Sequence, residues 1–269
     1  MEVHHHPHVE KKKFKEYCFE FLMIFLAVTM GFFAENAREL IVDKRRTHEF
    51  MKEIVENLKY DTTRVRLNLA FSDTDIRGMD SLRSELGKAI AGNINGNRLY
   101  YFAKRYAGEF GNAVFNTSAI TELKNSGALR LVKNKSIVSD LDDYYQRRIF
   151  AAGYKKPSTE LVEDQRRMLD EVFSWKYFDD QIANADKTSS LSTRYDFSFV
   201  LSADPPMQLL KTKPEDLEAL YNMISQFEYK VKEYDFFLDY ARKLAVKLIG
   251  EIETEYHLTH ETELKYRIE

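Results

Sequence analysis

Histidine is the residue type in this chain best placed for chemistry, because neutral imidazole binds Zn, Cu or Ni and changes charge near neutral pH. Four of the seven histidines, His4, His5, His6 and His8, crowd around Pro7 near the N-terminus. The same tract also serves as a polar tail at a membrane interface, which is the simpler reading. A second pair, His257 and His260, is spaced by three beside Glu253, Glu255 and Glu261, so on a helix the two rings would share a face.

Paired acids at Asp142 and Asp143 and at Asp179 and Asp180 are the only other arrangement resembling a catalytic constellation. Solvated charges at loops or helix ends account for them. The chain has no Gly-rich phosphate loop, no cysteine pair, no nucleophile elbow and no His-Glu-x-x-His helix. The expectation is therefore a protein without catalytic residues, cofactor-binding residues or a cofactor. Net charge is −3, so no basic surface advertises nucleic acid.

The elements that would position such residues begin with an uncharged run of 14 residues, Phe21 to Ala34. A hydrocarbon core of about 30 Å asks for about 20 residues and tolerates about 17. Extending the run back to Tyr17 gives 18 and takes in Glu20, near enough to the end for its carboxylate to reach the headgroups. A buried core helix would carry polar residues on an outer face, and this run carries only Thr29. Residues 17–34 are therefore predicted to be a membrane anchor in contact with the lipid bilayer. Phe32 or Glu35 would occupy the −3 position of a cleavage site, where a small residue is required, so an uncleaved signal-anchor is expected.

Lys11, Lys12, Lys13 and Lys15 before the span balance Arg38, Lys44, Arg45 and Arg46 after it. The closer clustering on the N-terminal side, and the ease with which long domains translocate, favour a cytoplasmic N-terminus and a body across the membrane. Within the span, Ala27, Gly31 and Ala34 fall on one side, a small-xxx-small arrangement that predicts a membrane partner or self-association. Glu20 is the span's only carboxylate; it either snorkels to the boundary or marks a proton or partner site.

Residues 1–16 read as a His- and Lys-rich tail and 35–269 as a helical extracytoplasmic domain. With 10 Gly and 5 Pro in 269 residues, breakers are scarce. A stalk helix continues out of the anchor with apolar residues at Phe50, Ile54, Leu58, Val65, Leu69, Ile76, Met79, Leu82 and Leu86. It should end at Gly87 or at the cluster Gly92 to Asn97, predicted to be a loop. Shorter helices are expected over 98–110, 117–125, 136–145 and 157–175, with Gly127 as a left-handed stop. Residues 178–211 read as a long surface loop.

The final helix should open on a capping box made by Thr212 and Glu215. Its stripe, Leu220, Ile224, Phe227, Val231, Tyr234, Leu238, Ala241, Ala245, Leu248 and Ile252, alternates by four and three. Met223, Phe237 and Leu244 widen that face, as in a helix packed inside a bundle rather than in a dimeric coiled coil. The predicted fold is all-α, with this helix packed on the stalk.

The stretch His4-His-His-Pro-His-Val-Glu-Lys-Lys-Lys-Phe-Lys-Glu-Tyr17, running into Glu20 to Val28 and Gly31 to Asn36, resembles uncharacterised single-pass membrane proteins of Bacteroidota. Thr121 to Gly127, with Leu131 to Lys135 and Asp142 to Tyr145, is similar to a motif in related proteins of unknown function. The resemblance implies an inner-membrane anchor with an external helical domain, and it carries over no catalytic residue. Three functions are then open: a scaffold or accessory subunit of an envelope complex, a ligand sensor working through a partner, and a metal handler using the N-terminal histidines.

Overall fold

The computed structural model describes residues 13–107, 113, 115–116, 118–150, 153, 157, 159–180 and 197–258. Among them are six α-helices and no strand: α1 Phe14–Ile90, α2 Gly96–Tyr106, α3 Ser118–Asn125, α4 Lys135–Phe150, α5 Thr159–Val172 and α6 Pro214–Tyr256. The all-α architecture follows from the scarcity of breakers; α1 runs 77 residues without a proline. At 1.5 Å per residue it is about 115 Å long.

The helix stops where Gly92 takes φ +93°, a conformation that side chains with a Cβ rarely adopt. There the Gly92 and Asn93 N–H groups donate to the carbonyls of Ala89 and Lys88 at 2.9 Å. These bonds satisfy carbonyls the helix end would otherwise leave open.

α1 and α6 run antiparallel, and every position of the predicted α6 stripe is buried. The predicted α1 stripe faces it, with Ile54, Leu58, Val65, Met79, Leu82 and Leu86 buried and Phe50, Leu69 and Ile76 half-buried. Three polar ties fix the register along the pair: Lys59 with Glu253 at 2.7 Å, Ser72 with Asp235 at 2.5 Å and Arg83 with Glu228 at 2.9 Å.

Shorter helices cover this pair at both ends. Near the apolar segment, α3 and α4 enclose a core with Met51, Leu58, Leu123, Leu141, Tyr144 and Leu248. At the far end, α2, α5 and the 197–210 segment enclose another with Leu82, Leu99, Tyr100, Phe173, Phe178 and Ile224. Between them lies a thin cluster of Val65, Ala113, Tyr234 and Leu238.

Several sequence expectations are corrected. The Gly92 to Asn97 cluster is not loop throughout, because the Asn95 side chain caps α2 by accepting from the Arg98 N–H at 3.1 Å and brings Gly96 and Asn97 into the helix. The described part of the predicted surface loop is not confined to the surface either: Phe197, Val200 and Met207 are buried, and Ser198–Ser202 forms a 3₁₀ turn. It docks on α2 through Asn97, whose side chain donates to the Ala203 carbonyl and accepts from the Met207 N–H, both at 2.8 Å.

α2 stops at Tyr106 and α4 runs on to Phe150, whereas the patterns suggested ends at 110 and 145. α5 stops at Val172, and Trp175–Phe178 forms a separate 3₁₀ turn. The capping box at Thr212 and Glu215 does not form. Pro214 occupies the first helical position, where its missing N–H costs nothing, which makes Lys213 the N-cap and leaves Thr212 outside the helix.

Gly96 is the tightest point of this docking, since a Cβ there would lie 1.8 Å from the Met207 carbonyl oxygen. Gly96→Ala is expected to lower stability by about 1–3 kcal/mol by pushing that segment off α2. Thermal unfolding of the detergent-solubilised protein, compared with Gly87→Ala, where nothing lies within 4 Å of the added Cβ, measures it.

Candidate functional site

Two arrangements set this chain apart from an ordinary helical bundle. The first is the N-terminal part of α1, which carries the one segment among the described residues long and apolar enough to cross a membrane. Its 18-residue window has a mean hydropathy of 1.9 and no part of it is buried. Apolar side chains point outward all around the helix: Phe21, Phe25, Phe32 and Phe33 are each more than half exposed. Contiguous apolar surface on this scale marks a site covered by lipid or protein.

The span's backbone is satisfied within the helix, and the Thr29 hydroxyl donates to the Phe25 carbonyl at 2.7 Å, so neither requires water. Just past Ala34, Arg38 forks onto Glu35 at 2.9 and 2.5 Å, an ion pair at the end of the apolar run. The first buried residue is Thr47, so about 20 Å of exposed helix separates Ala34 from the bundle.

Of the residues singled out in the sequence, Ala27, Gly31 and Ala34 lie along one side of this exposed helix, and nothing lies within 4 Å of a Cβ placed at Gly31. Glu20 is half-buried on the same helix, and Cys18 is an exposed free thiol. His4, His5, His6, His8 and His260 lie outside the described residues. His257 follows α6 as its C-cap in the left-handed conformation, φ 51°, and the pairing expected of it with His260 lies outside the described residues. Asp142 faces Lys124 at 3.4 Å and Asp143 faces Arg147 at 2.8 Å, ordinary surface pairs. Among the described residues no group of three or more His, Cys, Asp or Glu is assembled around a metal position.

The second arrangement is a buried polar network that the sequence reading passed over. Asp61 is 1% exposed in the core beneath α4. One carboxylate oxygen accepts the Tyr144 hydroxyl at 2.7 Å and the other the Asn116 N–H at 2.8 Å. The Arg148 guanidinium lies 3.8 Å from the carboxylate and donates to the Asn116 carbonyl at 3.1 Å. Asn116 in turn donates to the Asn57 side chain at 2.8 Å and accepts from Ser118.

Burial pushes the Asp61 carboxyl above the usual range, opposed by Asn116, Tyr144 and Arg148 in that order. Burial, and then the Asp61 charge, push the Tyr144 hydroxyl well above its ordinary range. Both carboxylate oxygens are taken up by donors of the chain itself, so the network acts as a clamp joining α1, α4 and the 116–118 connection. A signal was present in the sequence: Asp61 falls between Leu58 and Val65 on the predicted core face of α1.

Asp235 is less well served. One oxygen accepts the Ser72 hydroxyl and the other is buried without a hydrogen-bond partner. Burial, aided by the charges of Asp73 and Asp75 and opposed by Ser72, raises its pKa to about 6.

No protein-family model, curated protein or solved structure matches the chain. The functional reading therefore rests on the chain's own residues.

Asp61→Ala leaves Arg148 buried without its charge partner and is expected to cost about 3–5 kcal/mol, read as a lower unfolding midpoint. For Asp235 the folded pKa lies above the unfolded value, so the folded state holds its proton more tightly and stability rises as pH falls from about 7 towards 4. After discounting for partial exposure the effect is about 1–2 kcal/mol. Asp235→Asn should raise the melting temperature at pH 7.5, and the gain should vanish near pH 4.

Proposed function

We propose that this chain is a non-enzymatic scaffold or accessory subunit of a membrane complex in a bacterial envelope. Residues 17–34 hold it in the inner membrane, its N-terminus lies in the cytoplasm, and its helical body stands in the periplasm. The observation that carries the reading is the exposed apolar segment, none of it buried, continuous with a long helix of the bundle. A soluble protein would bury such a segment, since each apolar side chain removed from water gains about 1.5–3 kcal/mol.

Continuity supports the structural role. Because α1 passes from the span into both cores without a break, the body is held at a set height and orientation above the lipid. A flexible tether would leave both free. The polar groups buried deepest serve to join helices, as the Asp61 network and the pairing of Arg83 with Glu228 do, and this supports a structural body.

Fractionation tests the anchor. The intact chain should stay in the membrane pellet after alkaline carbonate extraction, and Leu26→Arg with Val28→Arg, costing about 2.5–3.5 kcal/mol each at mid-span, should move it to the aqueous fraction. Wild type found in the aqueous fraction contradicts the reading. With Cys18 replaced by Ser, a cysteine at Asn93 should react with an impermeant maleimide added outside the inner membrane; protection from it reverses the orientation. Purification in mild detergent should bring stoichiometric partners or a defined oligomer, and a stable lone monomer counts against a scaffold.

A further inference from the structure

We infer that the neck of α1 between the span and the bundle is a lipid collar, in which Lys44, Arg45 and Arg46 bind the headgroups of anionic phospholipids in the leaflet nearest the body. The inference deepens the scaffold reading and rests on its membrane anchor. Past Ala34 the first buried residue is Thr47, so the neck leaves the span before the bundle begins. It is not simply polar there: Leu40, Ile41 and Val42 are 71%, 70% and 39% exposed.

The arrangement of these residues specifies what covers them. Successive residues of a helix point about 100° apart, so Leu40, Ile41 and Val42 face three different directions. A protein docking on one side would cover one or two of them. A layer that surrounds the helix covers all three, and the bilayer already surrounds the span from which this neck continues.

Charge selects the headgroups. Each of the three apolar residues has a cation one turn further from the span: Lys44 follows Leu40, Arg45 follows Ile41 and Arg46 follows Val42. All three cations are exposed, and their side chains make no ion pair or hydrogen bond among the described residues. Arg38, in contrast, is closed on Glu35. The two other acids of the neck, Glu39 and Asp43, stack on the remaining side of the helix, which leaves the three cation columns clear.

Helix direction brings these cations within reach. Side chains of an α-helix lean towards its N-terminus, and the N-terminal part of α1 is the span, so Lys44, Arg45 and Arg46 lean back towards the lipid over the apolar row. Their Cα atoms lie about 15–18 Å past Ala34. The headgroup layer takes up about 5–8 Å of that height. Long side chains and a Debye length of about 8 Å close the remainder.

Lipid selectivity of the full chain tests this. In bilayers of phosphatidylcholine holding a trace of spin-labelled phosphatidylglycerol or spin-labelled phosphatidylcholine, the fraction of label immobilised at the protein reports each lipid's association. Lys44→Gln with Arg45→Gln and Arg46→Gln should lower the preference for phosphatidylglycerol at least two-fold, and the difference from wild type should vanish in about 1 M salt, where the Debye length is about 3 Å. The lysines before the span are the same in both chains, so the difference belongs to the collar. In a Cys18→Ser chain, a nitroxide on Ile41→Cys should also be shielded from a water-soluble nickel chelate relative to one on Glu53→Cys. Equal selectivity in wild type and variant, or equal exposure of the two nitroxides, overturns the collar and leaves the anchor standing. A wild-type chain found in the aqueous fraction removes both readings.

Discussion

On the proposed membrane reading, the structure depends on one constraint: α1 has to be stable in two solvents at once. Only a structure that satisfies its own backbone hydrogen bonds survives in lipid, and a helix does so at every residue away from its ends. The same helix must then present a single apolar stripe to a bundle in water. The change is legible along α1, where apolar residues surround the helix up to Ala34, charged residues dominate from Glu35 to Arg46, and the buried residues from Thr47 to Ser72 gather on one side.

α6 answers that second requirement. Its stripe is buried from Leu217 to Ile252, and the pair it makes with α1 is the spine on which the shorter helices sit. Apolar packing is concentrated at the two ends of this spine, and the thin middle is tied by the Ser72 to Asp235 hydrogen bond. Placing an incompletely paired carboxyl there makes the middle one place where the energetics of the body respond to pH.

Periodicity made the spine legible from sequence, since the four-and-three spacing in α6 and the matching positions in α1 leave one consistent way to pack. Local composition was a poorer guide where tertiary contacts decide. Gly96 and Asn97 have loop composition, yet they lie in a helix because the Met207 backbone needs the space of a missing Cβ and Asn97 ties down the chain passing over it. Thr212 and Glu215 match a capping box, and Pro214 between them moved the helix start. Asp61 was hidden because a carboxylate on a core face reads as an interruption until its partners, all at least 55 residues away in sequence, are brought to it. The candidate site divides in the same way: the exposed span was legible as a run of residue types, and the buried network required the fold.

The account stands or falls on α1 being one rigid helix from the lipid into the body. Spin labels on native Cys18 and on a cysteine replacing Glu49, in protein reconstituted into bilayers and diluted with unlabelled chain, measure this directly. At 1.5 Å per residue the account predicts one narrow distance distribution near 46 Å. A broad distribution, or one centred well below that distance, would show a hinge between the span and the bundle and contradict it.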